Sequence, residues 1–338
     1  MHKNTEKQNP LSRSGYSLTI YSFKMTDFAI ELALYPASYC NEEFNFKELI
    51  LVKWKITENE ANLRLIEFLQ QKNIPKKIWT LIKADSHLII NGEKRSPGER
   101  LNRGETIDLS EYYPKPATTT HPLDILYETD EFLIVSKPSG MLTHPTGLSM
   151  NEVTLNDLVL NYFYEKSIPS LAHPVIRLDR NTSGLALYAK KPAFQKFFQE
   201  SPTEKIYLAV SQNAFYNSSF LLSAPIKRAE NSIIEREVGR QGKTALTEIL
   251  LLATEKDFSL FQCKIHTGRT HQIRLHLASI GLTIYGDDLY GQKSELSPAY
   301  ALHAWKLSLP QTSKNTQPLL IACPPPNYIK ELFPGFSF

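Results

Sequence analysis

Apolar positions carry little periodic signal up to about residue 58, where only short strand-like pieces such as ELILVKWKI stand out, with Leu49, Leu51 and Trp54 as apolar members. From Ala61 the spacing becomes helical. NLRLIEFLQQKN sets Leu65, Ile66 and Leu69 at helical spacing, and PKKIWTLIKAD opens on Pro75, a suitable first-turn residue, and repeats the pattern through Ile78, Leu81 and Ile82. Two short helices are predicted. HLIINGEK, with its Asn91-Gly92 turn signal, and ETIDL read as short strands around a loop. SEYYPKPATTTHP, with three prolines and a threonine run, reads as a linker. The remainder is a series of strand candidates, DILYETDEFLIVSKP, HPVIRLD, GLALYAK, KIYLAV, TALTEILLLA and FSLFQCKIH, with one helical candidate, PAFQKFFQES. Strands in runs with few intervening helices predict an α+β fold with a mixed, largely antiparallel sheet rather than a doubly wound one. The expected plan is an extension over 1–58, a small α+β domain over 59–110, a linker over 111–122 and a large domain over 123–338.

Composition narrows the class. The 338 residues suffice for one large core and a satellite domain. Lysine and arginine number 38 against 35 acidic residues, so a polyanion-binding surface has to come from local clustering. Cys40, Cys263 and Cys323 stand far apart, which predicts neither a disulfide framework nor a thiolate metal site. The polar first stretch does not read as a secretory signal, and no segment reaches the roughly 18 apolar residues of a spanning helix. A cytoplasmic, monomeric protein without membrane association is the expectation.

The small region carries Arg64, Lys72, Lys76, Lys77 and Lys83 on or beside its two helices, which suits either a solvated face or phosphate contact. Its order of elements, two helices followed by INGEK and RGETIDL, resembles the alpha-L RNA-binding motif, with Glu105 where that motif usually has Asp.

Three features of the large region need a common explanation. IRLDRNTSG sets Asp179 between Arg177 and Arg180. A carboxylate beside a cation is held ionised, which fits a nucleophile or cation stabiliser and equally a structural ion pair. Between Lys264 and His276 lie two arginines, three histidines and no acid. The histidines recur every five residues, unlike a helical metal pair, so no metal is expected, and Arg269 and Arg274 read as phosphate ligands or as a basic surface. Tyr207 sits in the apolar strand KIYLAV, where a tyrosine is most often core.

Together, RLDRNTSG, KIYLAV, GKTALT, TGRTHQIRLHLASIG, YGDDLYG and LHAWKLSL resemble, in order and spacing, the RluA-type pseudouridine synthases over roughly residues 120–328. The resemblance implies the pseudouridine synthase fold and conversion of uridine to pseudouridine in RNA without cofactor or metal. It implies catalytic roles for Asp179 at ribose C1′, for Tyr207 against the base and for Arg274 as the partner that holds Asp179 ionised. Substrate contact falls by the same resemblance on Arg177, which takes the place of a flipped base, and on Thr182, Arg269, His271 and Gln272. Ribosomal RNA of the large subunit is the first expected partner and tRNA the second. A non-catalytic RNA-binding protein, a glycoside hydrolase pairing Asp179 with Asp287 or Asp288, and a metal-dependent hydrolase are the rival readings.

Overall fold

A computed structural model describes residues 19–21, 53–71, 82, 88–96, 98–108, 119, 121–145, 152–166, 168, 170–232, 234–292, 300–312 and 317–338. Its strands are β1 (Thr19–Tyr21), β2 (Lys53–Lys55), β3 (Leu88–Ile90), β4 (Glu93–Arg95), β5 (Thr106–Asp108), β6 (Asp124–Glu128), β7 (Phe132–Lys137), β8 (His173–Ile176), β9 (Ser183–Ala189), β10 (Glu204–Ser211), β11 (Ser219–Ser223), β12 (Ile226–Arg228), β13 (Arg236–Val238), β14 (Leu246–Glu255), β15 (Phe258–Ile265), β16 (Leu302–Leu309) and β17 (Leu319–Ala322). Its α-helices are α1 (Leu65–Gln71), α2 (Leu155–Glu165), α3 (Pro192–Glu200), α4 (Gln272–Ala278) and α5 (Asn327–Leu332).

The described residues fall into two compact units, one drawn from His121–Asn156 and His173–Phe338 with β1, the other from residues between Pro36 and Thr120 with Asp157–Ala172. In the smaller unit a four-stranded sheet runs β2-β5-β3-β4. Asn91 and Gly92 turn β3 into β4 at φ 53° and 87°, the left-handed pair that a two-residue hairpin needs. The core joins Trp54, Leu65, Phe68, Leu88 and Ile107. The fold therefore starts ahead of the expected boundary at 59, because β2 pairs with β5 and Trp54 packs edge-on against Phe68. Glu105 accepts hydrogen bonds from the Asn102 backbone and from Arg95, closing the loop ahead of β5. The first predicted helix is α1; the second lies outside the described residues except Ile82, as do Lys72, Lys76, Lys77, Lys83 and most of the linker.

The larger unit is an eleven-stranded, almost wholly antiparallel sheet with the order β1-β11-β14-β15-β10-β16-β9-β7-β6, where β17 also pairs with β16 and β8 with β9. Its middle strands read as unbroken apolar runs because both faces are covered: all seven residues of β9 are buried. The exception to the antiparallel pattern is a short parallel contact, His303 with Ser183 and Ala304 with Gly184. There Gly184 takes φ +103°, and a Cβ on it would lie 2.2 Å from the Ala304 carbonyl oxygen. Only glycine permits that approach. One core cluster runs across this junction, from Phe132 and Leu187 on one side to Tyr207, Phe261 and Leu302 on the other. Helix α3 matches its prediction, and α2 was not signalled by the apolar spacing used above.

Candidate active site

HPVIRLD was expected to be strand through Asp179, but β8 ends at Ile176 and residues 177–182 form a loop into β9. Arg180 forks onto Glu152 at 2.6 and 3.1 Å, and the exposed Arg177 lies 3.5 Å from His144.

Four consecutive residues of this loop are held. Thr143 donates its hydroxyl to the Leu178 carbonyl at 2.7 Å and accepts the Leu178 N–H, and the Thr182 N–H donates to the Asp179 carbonyl at 3.2 Å. The ammonium of Lys137 donates to the Arg180 carbonyl at 2.8 Å, and Ser139 donates to that of Asn181 at 2.8 Å. Lys137 also donates to the carbonyls of Pro138 and Met141, so it joins two loops. Burial pushes its pKa down to about 7, against the pull of the Asp179 charge. Preorganisation of this kind keeps a reacting group in place before substrate arrives.

Around Asp179 the fold gathers groups from distant segments. Its charge is felt by Lys137, Tyr207, His271, Arg274 and Tyr300. Nε2 of His271 lies 3.9 Å from its Oδ2, and the carboxylate is 30% exposed. Tyr207 comes from β10 at the point where the register against β16 shifts, a bulge that re-aims a side chain. Burial, with the Asp179 charge second, drives the Tyr207 phenol well above its ordinary range, so it keeps its proton.

Arg274 lies on α4, and its expected partner needs correction. The guanidinium makes a forked pair with Asp287, Nε to Oδ2 and Nη2 to Oδ1, both at 2.7 Å. The rings of Tyr290 and Tyr300 stand 4.9 and 4.4 Å from it. Burial lowers the guanidinium pKa, but the Asp287 bond and the surrounding negative groups outweigh it and raise the net value. The Asp179 charge also favours the guanidinium, as a smaller contribution. A buried, paired arginine is also not the phosphate ligand suggested by the basic run, and helix α4 has only seven residues. Asp287, engaged by Arg274 and by the Leu289 and Tyr290 N–H groups, is unsuited to be the protonated partner a glycosidase would need.

Of the expected substrate contacts, Arg177 is exposed beside the Asp179 loop and Arg269 is half-buried, its Nε donating to the Thr244 carbonyl. Thr182 and Gln272 differ from expectation. Thr182 is buried with its hydroxyl 3.2 Å from that of Tyr300. Gln272 accepts from the Arg269 N–H and Thr267 hydroxyl, and donates to the Leu246 carbonyl and Thr247. These two hold the loops rather than face an open surface. Lys137, Tyr290 and Tyr300 were missed as contributors, and Asp287 was weighed only as a glycosidase partner of Asp179, not as the partner of Arg274. Among the described residues, no three His, Cys, Asp or Glu side chains converge where they could hold a metal ion.

An open carboxylate on a locked loop, backed by a buried arginine and a protonated tyrosine, is suited to stabilising positive charge at a sugar carbon. The comparisons agree with such chemistry. A family model described as RNA pseudouridylate synthase matches residues 131–279. An uncharacterized RNA pseudouridine synthase of Mycoplasma pneumoniae is 33% identical over 258 residues, 71% of this chain and 82% of that protein. Ribosomal large subunit pseudouridine synthase D of Nitrosomonas europaea is 35% identical over 201 residues, 56% of this chain and 58% of that protein. The solved structure of human RNA pseudouridylate synthase domain containing 1 superposes with TM-score 0.52 at 25% identity, covering 64% of this chain and 88% of that one. The chain belongs to the RNA pseudouridine synthase family, in its RluA branch. It is an enzyme that isomerises uridine to pseudouridine in RNA.

Proposed function

We propose that the substrate is a specific uridine of large-subunit ribosomal RNA, flipped into the cleft so that its ribose C1′ meets Asp179. The reaction breaks the N1–C1′ bond, forms a C5–C1′ bond, releases the proton from C5 and places one on N1, leaving the composition unchanged. Positive charge builds on the sugar as the base departs, and Asp179 answers it. Tyr207, which keeps its proton, packs on the base and donates. Arg177, exposed at the loop edge, fills the gap left in the stack. The observation that carries this reading is the Asp179 loop, held at four successive residues with the carboxylate itself left open. Ribosomal RNA is favoured because relatives from Borreliella burgdorferi and Nitrosomonas europaea carry the name ribosomal large subunit pseudouridine synthase D.

The test is to map pseudouridines across total RNA from cells with and without the gene, complemented by wild type or by Asp179→Asn. A large-subunit uridine restored by wild type alone is expected. If no uridine changes status, the proposal fails; if the changed uridine lies in tRNA, the substrate assignment fails.

A further inference from the structure

The Tyr290 hydroxyl has two neighbours. It accepts a hydrogen bond from the Arg236 backbone N–H at 2.9 Å and lies 2.8 Å from Nδ1 of His271. A phenol carries a single proton. Since Arg236 supplies its own hydrogen, the phenol proton is free to go to His271, and in that arrangement Nδ1 is the accepting nitrogen. A neutral imidazole so arranged carries its hydrogen on Nε2, the nitrogen that faces Asp179.

Two further observations bear on this histidine. His271 holds φ 59° immediately ahead of α4, a left-handed conformation that a non-glycine residue keeps only where its surroundings over-determine it. The groups facing it are Asp179, Arg274, Arg236, Asp287 and Tyr290. Burial, then the two arginines, oppose an imidazolium more than the two carboxylates favour it, so its pKa lies below the ordinary value.

We propose that the Arg236 amide, Tyr290 and His271 form a relay that fixes His271 as an Nε2–H donor toward Asp179. His271 and Tyr290 are thereby positioning residues for the carboxylate, and His271 serves the enzyme rather than contacting RNA. The relay rests on Asp179 being the reacting group, as proposed above. The 3.9 Å separation is longer than a hydrogen bond and closes when substrate settles, as such bonds do in going from free enzyme to complex. Because Arg236 lies on β13, the relay also ties the β12–β13 hairpin backbone to the active carboxylate.

Tyr290→Phe keeps the ring beside Arg274 and removes only the hydroxyl. His271→Gln offers an amide donor near the Nε2 position with no tautomer to select. Nitrogen-15 NMR of the RNA-free enzyme, with the His271 signals assigned by their loss in His271→Gln, is expected to show hydrogen on Nε2 in wild type and a mixture in Tyr290→Phe. Tyr290→Phe is expected to slow pseudouridine formation at saturating RNA about tenfold while RNA affinity stays within about twofold. In the His271→Gln background the same change is expected to cost less than about twofold. Equal losses in both backgrounds, or hydrogen on Nδ1 in wild type, overturn the relay. If instead Asp179→Asn forms pseudouridine as fast as wild type, the reading of Asp179 fails, while the NMR result still decides the tautomer.

Discussion

Replacing Asp287 by Asn removes one charge from a pair that is almost sealed from water, with side-chain exposures of 6% for Arg274 and 1% for Asp287. The carboxylate receives four donors: two from the guanidinium, one from Leu289 N–H and one from Tyr290 N–H. An Asn amide has a single oxygen, and its NH2 group would face either the guanidinium or the backbone N–H groups, donor against donor. The cation–π contacts with Tyr290 and Tyr300 exist in both proteins and cancel from the difference. Removing one partner of such a buried pair costs about 3–5 kcal/mol, chiefly through the uncompensated charge left behind. Urea denaturation at neutral pH should show that loss as a lower midpoint with an unchanged slope. Pseudouridine formation, measured where the variant is still folded, should fall more than tenfold, because the guanidinium loses the forked pair that fixes it among the groups around Asp179. A stability loss under about 1 kcal/mol would refute the view that this pair is buried and charged.

Gly184→Ala combines a positive φ with a Cβ 2.2 Å from the Ala304 carbonyl, so a loss of about 3 kcal/mol or more is expected in thermal denaturation; an unchanged midpoint would show that β9 and β16 can separate freely. Lys137→Met tests linkage. The folded pKa of Lys137 is about 7 and that of an unfolded lysine about 10.4, so between those values the unfolded chain binds more protons. Stability from this group is therefore gained as pH rises from about 7 to about 10 and lost as pH falls back through 7. Urea midpoints across that window should climb in wild type relative to Lys137→Met, and parallel profiles would contradict the burial assigned to the ammonium.

Much of the large unit was legible because its strands are long, apolar and bounded by turns. FLIVSK, KIYLAV and FSLFQCKI are strands, and PAFQKFFQE is a helix. Short elements were harder: β2 has three residues, too few to show a period, although Trp54 anchors the core of its unit. The site was legible in its motifs and less so in its pairings. Asp179, Tyr207, His271 and Arg274 were named, yet the partner of Arg274 is an acid thirteen positions along the chain rather than the carboxylate across the fold. Local charge patterns do not reveal which way a long side chain turns, and burial decided this one. Gln272 and Thr182 carry the polar groups expected of substrate ligands, but neighbouring loops use those groups first. Lys137 gave no signal as a contributor, because a lysine at a strand end reads as solvated until three carbonyls are found converging on it.

The parallel contact between β9 and β16 extends over only two residue pairs, the shortest join in the middle of the sheet, and it sits directly after the loop that carries Asp179. A ladder so brief contributes little backbone cohesion. Registration between the two halves is instead a matter of interlocking volume: the glycine notch at 184, the carbonyl of Ala304 seated in it and the apolar cluster that continues past both. The location of Asp179 therefore also depends on side chains well behind it, so a change of shape deep in that cluster can shift the carboxylate while leaving every group around it chemically intact.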